Sequence, residues 1–465
     1  KQIQAHIVSS PNHGSAILSN SLVGSYLVVA LAKCGSVEDA VHVSSFLPPP
    51  ARSVFSWTAI ISAYADLGSP HGALAAYRSM HNDGILPDSY TFVALFRACG
   101  NIGDLALAKR FHCDARNRGI DSVVFVANTI LSMYGKCGDV SKAEHVFSNL
   151  CSPTTVSWNA TLSTLVENGS GKKALLLYRQ MMGEKNTKNL VNEVTIMLGV
   201  QACGTMVVEE EEKEQSNSAI GNINMKQMYL DIGRAFHAVA LRKDYTSDIL
   251  VATTLVSMYG KCGAVVDAEN VFCELSSCNT TSWNAMLLAY INQRQGVKAL
   301  LLYKQMDEQE GVDPDWRTFV MAIQACSFCV EMDSECLEIG RAFHANVLRK
   351  ELLCTNAFIC TALARMYGKR GAVHEAEHVL RVISQPDVAV FNTLLSVYVD
   401  NGKSKEALQV YSGMQLQYQV SPDHLTFVKA FQACGMLAQC SQPHAMLLPL
   451  HIGQALHADA CKQGF

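Results

Sequence analysis

Two clusters in this chain have the residue types and spacing of metal chemistry. His374-Glu-Ala-Glu-His378 sets two imidazoles four residues apart on a predicted helix with a glutamate beside them. That is the pattern by which zinc-dependent hydrolases hold their metal and their general base. Cys326-Ser-Phe-Cys329, with Cys336 beyond it, has the spacing of a structural zinc site. Both give way when set beside the rest of the chain. Positions equivalent to 374–378 read Ser141-Lys-Ala-Glu-His145 and Val266-Asp-Ala-Glu-Asn270, so Ala-Glu belongs to a repeat and His374 fills a variable slot. Cys326 recurs as Cys99, Cys203 and Cys434, and Cys34, Cys137 and Cys262 share another slot. A cysteine repeated at one helical position behaves as a small buried hydrophobe rather than a ligand. Nothing supplies a third ligand to the histidines, and no phosphate-cradling glycine loop is present. The residues predict no catalytic group, no metal, no cofactor and no small-molecule substrate.

The repeat itself is the stronger signal. Trp57-Thr-Ala-Ile-Ile-Ser-Ala-Tyr returns as Trp158-Asn-Ala-Thr-Leu-Ser-Thr-Leu, Trp283-Asn-Ala-Met-Leu-Leu-Ala-Tyr and Phe391-Asn-Thr-Leu-Leu-Ser-Val-Tyr. Ahead of each copy stands Ala32-Lys-Cys-Gly, Gly135-Lys-Cys-Gly, Gly260-Lys-Cys-Gly or Gly368-Lys-Arg-Gly. Behind each stands Arg97-Ala-Cys-Gly, Gln201-Ala-Cys-Gly, Gln324-Ala-Cys-Ser or Gln432-Ala-Cys-Gly. Three phrases alternating in fixed order describe a helical-repeat array whose function lies on its surface rather than in a pocket.

Units near 35 residues run 54–88, 155–192, 280–315 and 388–423. Shorter units precede them at 21–53, 124–154, 249–279 and 357–387; longer ones follow at 89–123, 193–248, 316–356 and from 424 onward. The chain thus divides into a partial long unit at 1–20 and four triplets, 21–123, 124–248, 249–356 and 357–465. Each unit reads as two helices. In 388–423, Phe391, Leu394, Leu395 and Tyr398 make an amphipathic stripe, Gly402 ends the first helix, and Ser421-Pro-Asp423 closes the unit. The expected fold is all-α, a right-handed superhelical solenoid of helix-turn-helix repeats. Glu209 to Glu214 and the polar stretch to about Met228 read as an acidic, disordered insertion (about 207–228), and a shorter one spans about 328–338.

Bulk properties fit this picture. Charged residues are 17% and hydrophobic residues 49%, as expected of helices covered on two sides by neighbours. A net charge of −4 excludes nonspecific electrostatic capture of nucleic acid as the main activity. Seven of the seventeen cysteines fill two repeat slots, which points to a reducing compartment without obligatory disulfides. The longest uncharged run, Ala16 to Ala32, falls on a repeat helix and reads as no membrane span. The chain opens at Lys1 and stops within a repeat, so any address peptide or appended domain would lie outside it.

These phrases, among them Val156-Ser-Trp-Asn-Ala, Met133-Tyr-Gly-Lys-Cys-Gly and Gly340-Arg-Ala-Phe-His, resemble the pentatricopeptide repeat family, specifically its plant-type PLS class. That class alternates a 35-residue P motif, a longer L motif and a 31-residue S motif, and the resemblance covers the chain apart from the insertions. It implies sequence-specific binding of single-stranded RNA in mitochondria or chloroplasts, about one base per repeat. The reading side chains are the fifth residue of the first helix and the last residue of the repeat. Carried over, the pairs are Thr58 with Asp88, preferring G; Asn128 with Thr154, a pyrimidine; and Asn159 with Asn192, a pyrimidine with C favoured. They continue with Thr253 and Asn279, preferring A; Asn284 and Asp315, U; Thr361 and Asp387, G; and Asn392 and Asp423, U. In the family's parallel orientation the register is 5′-G-N-Y-Y-N-A-U-N-G-U-3′.

The L motifs depart from this pattern, with Val93, Met197, Val320 and Val428 at the fifth position, and are expected to act as spacers. The first S unit, with Ser25, Ser53 and an inserted Pro48-Pro-Pro50, has no clear preference. Apolar second residues (Phe55, Phe125, Val156, Leu250, Phe358) are placed to stack on bases, a series that Thr281 breaks. Taken singly, Asn at a helix start and Asp or Asn at a loop end are ordinary caps and turn formers; their recurrence as restricted pairs favours reading. Trp57, Trp158 and Trp283 read as core and Trp316 as incidental.

The resemblance further implies a role in specifying sites of C-to-U editing. Deamination would come from a C-terminal E/DYW region or from a deaminase-bearing or other editing factor in trans. A cytidine deaminase needs His-x-Glu with a downstream Cys-x-x-Cys, and this chain has no His-x-Glu. RNA stabilisation or processing without editing, a protein-binding α-solenoid scaffold, and a truncated gene copy stay open as other readings.

Overall fold

The computed structural model describes residues 21–47, 52–183, 191–214, 223–329, 333–350, 356–383, 386–440 and 447–464. Among these residues there are 24 helices and no strands. They fall into two compact units, Lys1–Tyr245 and Thr246–Phe465. The expected partial unit at 1–20 and the Pro48-Pro-Pro50 insertion lie outside the described residues.

The first compact unit is six helical hairpins. They are α1 (Ser21–Lys33) with α2 (Val37–Phe46), α3 (Val54–Asp66) with α4 (Pro70–Asn82), and α5 (Ser89–Ile102) with α6 (Leu105–Asn117). Then come α7 (Val124–Lys136) with α8 (Val140–Ser148), α9 (Thr155–Glu167) with α10 (Gly171–Gly183), and α11 (Glu193–Glu214) with α12 (Ile223–Arg242). The second unit repeats the plan. It holds α13 (Ile249–Cys262) with α14 (Val265–Cys273), α15 (Thr280–Asn292) with α16 (Gly296–Glu308), and α17 (Trp316–Cys326) with α18 (Asp333–Arg349). It ends with α19 (Ala357–Lys369) and α20 (Val373–Arg381), α21 (Val388–Asp400) and α22 (Ser404–Leu416), and α23 (His424–Cys440) and α24 (Leu447–Gln463).

Local chemistry sets the hairpins. Gly68 and Gly402 lie in the turns at φ 69° and 74°, a region that costs other residues energy. Within each unit the first helices pack side by side, and each second helix touches its own first helix and the next one. First helices are therefore covered on several sides, which is why they carry most of the core. Trp158 and Trp283 are buried edge-on against Phe147 and Phe272 at 4.7 and 5.0 Å, and Trp57 is buried as well. Cys99, Cys203, Cys326 and Cys434 are buried as the repeat slot predicts. The other cysteine slot departs from expectation. Cys34 is exposed and Cys137 and Cys262 are half-buried, because this position falls at the end of the first helix.

The acidic insertion also differs from the sequence expectation. Its flanks are helical: α11 runs through Glu214 and α12 begins at Ile223, with residues 215–222 outside the described set. Met206 and Val207, just ahead of the glutamates, are buried, as are Tyr229 and Leu230 beyond them. That burial anchors the helix ends, and glutamate, a good helix former, extends α11 at little cost. No described helix is long and apolar enough to cross a membrane.

Candidate functional site

The junction between consecutive repeats is where the candidate residues meet. The last residue of a unit is the N-cap of the next unit's first helix. The side chains of Asp88, Asn192, Asp315 and Asp423 each accept the backbone N–H three residues on, at 2.8, 3.0, 2.8 and 2.8 Å. Thr154, Asn279 and Asp387 do the same at 3.4, 2.9 and 3.0 Å. Such a cap satisfies an orphan donor of the helix and is worth about 1 kcal/mol. Capping alone thus accounts for the restriction of this position to Asp, Asn and Thr, and the weight of any reading argument moves to the fifth residue.

Fifth residues reach across the junction to these caps. Asn159 Nδ2 donates to Asn192 Oδ1 at 3.1 Å, Asn284 Nδ2 to Asp315 Oδ1 at 3.1 Å, and Asn392 Nδ2 to Asp423 Oδ1 and Oδ2 at 3.0 and 3.1 Å. A third residue completes each group. Thr195, Thr318 and Thr426 donate their hydroxyls to the carbonyl oxygens of Asn159, Asn284 and Asn392 at 2.8, 2.7 and 2.7 Å. Where the fifth residue is threonine the same position still engages it: Thr58 and Thr91 hydroxyls lie 2.7 Å apart, and those of Thr253 and Ser282 2.8 Å apart. These hydroxyl residues are fully buried. Sequence reasoning passed over them, although Asp88-x-x-Thr91, Asn192-x-x-Thr195, Asn279-x-x-Ser282, Asp315-x-x-Thr318 and Asp423-x-x-Thr426 repeat a capping-box spacing.

Two pairs are not joined. Thr361 turns its hydroxyl to the Phe358 carbonyl at 3.0 Å, and the residue three beyond Asp387 is Val390, which has no hydroxyl to offer. Asn128 leaves its carbonyl oxygen buried without a partner, although Ser157 stands at the third position and bonds Thr154. Exposure separates one residue from the rest. Asn284 is buried at 8%, whereas the other thirteen candidates are half-buried or exposed.

Burial raises the carboxyls of Asp315 and Asp423, but hydrogen bonds from Thr318 and Asn284, and from Thr426 and Asn392, outweigh it and hold both below the usual carboxylate range. Both are therefore anions at neutral pH. Asp315 Oδ1 takes the bonds from Thr318 and Asn284. These bonds all fall on Asp315 Oδ1 and use one amide hydrogen of Asn284, and the Arg317 backbone N–H also bonds the carboxylate.

One helical turn before the fifth residue, on the same face, stands the apolar series. Phe55, Phe125, Val156, Leu250 and Phe358 are exposed by 56, 42, 62, 59 and 67%. Tyr90 joins them, stacked on Phe125 at 5.4 Å, and Trp316 stacks on Phe358 at 5.8 Å. Trp316 is thus part of this surface, contrary to its reading as incidental. Within each compact unit these exposed large apolar side chains stand beside the candidate pairs.

The metal-like clusters sit elsewhere. His374 and His378 are exposed on α20, and Glu375 accepts from Arg341 at 3.0 Å. Cys326, Cys329 and Cys336 are buried, and burial pushes the Cys326 and Cys336 thiols up to about 12. Among the described residues no group of three or more His, Cys, Asp or Glu is placed to hold a metal ion.

Comparison with known proteins finds the same units. The PPR repeat family model matches residues 52–101 and 278–327, and the pentatricopeptide repeat domain model matches 379–436. The PPR repeat model matches 125–152, 156–185 and 251–280. A chloroplastic pentatricopeptide repeat-containing protein of Arabidopsis thaliana is 29% identical over 91% of this chain and 64% of its own length. A mitochondrial one from the same plant is 26% identical over 96% of this chain and 48% of its own length. The chain therefore spans about half to two-thirds of the length of these curated relatives. Their names support an organellar address for it. A solved structure, the pentatricopeptide repeat protein PPR10 in complex with an 18-nt psaJ RNA element, is 15% identical with a TM-score of 0.34. It covers 95% of this chain and 80% of its own, but a superposition that loose has no bearing on this chain's shape. Repeat models that together span more than half of the sequence, in register with the hairpins, establish that the chain belongs to the pentatricopeptide repeat family.

Proposed function

We propose that this chain binds single-stranded RNA in a sequence-dependent manner, each fifth-residue and last-residue pair selecting one base. The observation that carries the reading is the convergence of these two side chains, directly or through a shared hydroxyl, at five of the seven junctions. The Asn284–Asp315 pair retains an amide N–H and a carboxylate oxygen, a donor beside an acceptor. Uracil presents the complement, a carbonyl beside N3–H. In the Asn159–Asn192 pair the cap is an amide whose oxygen is taken by Thr195, so the pair retains N–H donors only. Cytosine, with acceptors at N3 and O2, is its complement. Thr58 with Asp88 leaves an acceptor suited to the N1–H and amino group of guanine, and Thr253 with Asn279 leaves a donor suited to adenine N1. The exposed aromatic and aliphatic row beside the pairs supplies stacking, worth about 1–3 kcal/mol per base.

Within this reading the alternation of short, ordinary and long units supports assignment to the PLS class and a role in specifying C-to-U editing sites in an organelle. Apolar fifth residues make the L motifs spacers. Deamination then belongs to an E/DYW region or to a partner in trans.

Exchanging both members of one pair tests base selection. Thr253→Asn with Asn279→Asp copies the 280–315 pair into 249–279 and should shift preference there from A to U. Fluorescence anisotropy on oligonucleotides differing only at that base reads the shift. Unchanged preference would refute the assignment of these residues.

A further inference from the structure

We infer that a third residue, the hydroxyl-bearing side chain at the third position of the following repeat's first helix, is a specificity-determining positioning residue for the five base slots in which it bonds the fifth residue. The inference rests on the base-reading function proposed above. Its starting point is the orientation of an asparagine side chain, which is symmetric in shape but not in chemistry. Left alone, Asn284 can present either its carbonyl or its amino group to a base. Asp315 fixes one end, because a carboxylate accepts only and must face the Nδ2 at 3.1 Å. Thr318 engages the other, its hydroxyl oxygen standing 2.7 Å from Asn284 Oδ1, an acceptor that pairs with it only as a donor. The same hydroxyl stands 2.8 Å from Asp315 Oδ1 and accepts the Asp315 N–H at 3.2 Å. It therefore touches both reading side chains from beneath, while being fully buried and out of reach of RNA.

The arrangement repeats with Thr426 under Asn392 and Asp423, and with Thr195 under Asn159 and Asn192. Thr91 and Ser282 serve the two threonine pairs, where they set the direction of a hydroxyl that could otherwise rotate. In each case the residue belongs to the next repeat in the chain. A base slot is thus specified by three side chains spread over two repeats, and moving a repeat without its successor would not move its preference intact.

Of the two slots outside the pattern, 124–154 has Ser157 bonded to Thr154 but not to Asn128, and 357–387 sharpens the inference. Below Thr361 and Asp387 the third position is Val390, and Thr361 has turned away to the Phe358 carbonyl. With nothing to hold the pair together, the 357–387 slot should discriminate bases less well than its sister slots. Threonine is close to valine in shape, so Val390→Thr is expected to fit the same buried place and restore the contact.

Two variants and one rescue decide the matter, each read as a ratio of affinities for paired oligonucleotides. Thr318→Val keeps the backbone N–H that Asp315 caps and removes only the hydroxyl. Its U-over-C ratio at the 280–315 slot should fall about threefold to tenfold, the worth of one hydrogen bond, and Thr318→Ser should recover it. Val390→Thr should raise the G-over-A ratio at the 357–387 slot by a similar factor. A Thr318→Val protein that loses affinity for both oligonucleotides equally, with the ratio intact, would show the hydroxyl to be structural and overturn the inference. So would a Val390→Thr protein with an unchanged ratio, and this gain-of-function arm holds even if Thr318→Val fails to fold. A native chain that binds RNA but shows no U-over-C preference at 280–315 would instead strike the base-reading function itself.

Discussion

At the scale of single residues, one side chain is asked to do two things. Asp315 caps α17 and, in the proposed function, faces a base; the cap needs only one carboxylate oxygen, which leaves the other for recognition. This double use explains why the last residue of a unit looked ambiguous in the sequence, since an N-cap and a reading residue draw on the same short polar side chains. The fifth residue carries no such ambiguity, because Asn or Thr in a first helix beside Trp and Phe has no capping task. Residue-scale chemistry also predicts an acid sensitivity. His112 is buried and hydrogen-bonded to the Tyr134 hydroxyl at 2.8 Å. Burial and the Arg116 charge push its imidazole down to about 4, against the pull of Asp121. The unfolded chain, with an ordinary value of about 6.5, takes up the proton first. Its contribution to stability is therefore complete above about 6.5 and lost as pH falls toward about 4. Melting temperatures taken across this window should decline for the native chain and more shallowly for His112→Gln. Parallel curves would show that this histidine does not govern the effect.

At the scale of elements, spacing between helices is set by glycine. Gly135, Gly260 and Gly368 occupy one slot near the end of a first helix, where the next first helix comes close. A Cβ at Gly260 would stand 2.6 Å from Ala289 Cβ and 2.9 Å from its Cα, so backbone must move. Overpacking of this kind costs about 1–3 kcal/mol, outweighing the ~1 kcal/mol that alanine gains over glycine in a helix. Gly260→Ala should therefore lower the unfolding midpoint. Gly435→Ala, on α23 with nothing within 4 Å, should raise it or leave it unchanged. Denaturant unfolding of the two variants checks this, and a stabilised Gly260→Ala would contradict the close approach. The helices were legible in the sequence because Phe391, Leu394, Leu395 and Tyr398 repeat at helical spacing and Gly402 marks the turn. What was not legible came from contacts between repeats. Thr318 looks like any helix-start threonine until Asn284 is brought over it, and Trp316 looks incidental until Phe358 stacks on it. The acidic block read as solvated loop because composition records charge, whereas the burial of Met206, Val207 and Tyr229 depends on neighbouring helices.

At the scale of the whole molecule, family membership and the repeated junction lead to one expectation. Bases should be selected in chain order, with the L motifs silent and each selective slot contributing modestly. Affinity then comes from many weak choices, and specificity from their order along the strand. The most direct measurement is the dissociation constant, at one fixed salt concentration, for an oligonucleotide carrying 5′-G-N-Y-Y-N-A-U-N-G-U-3′ and for another of the same composition with its specified bases in reverse order. Because each mismatched base costs about 1–3 kcal/mol, the account predicts binding at least about a hundredfold tighter to the first. Equal dissociation constants for the two would contradict it.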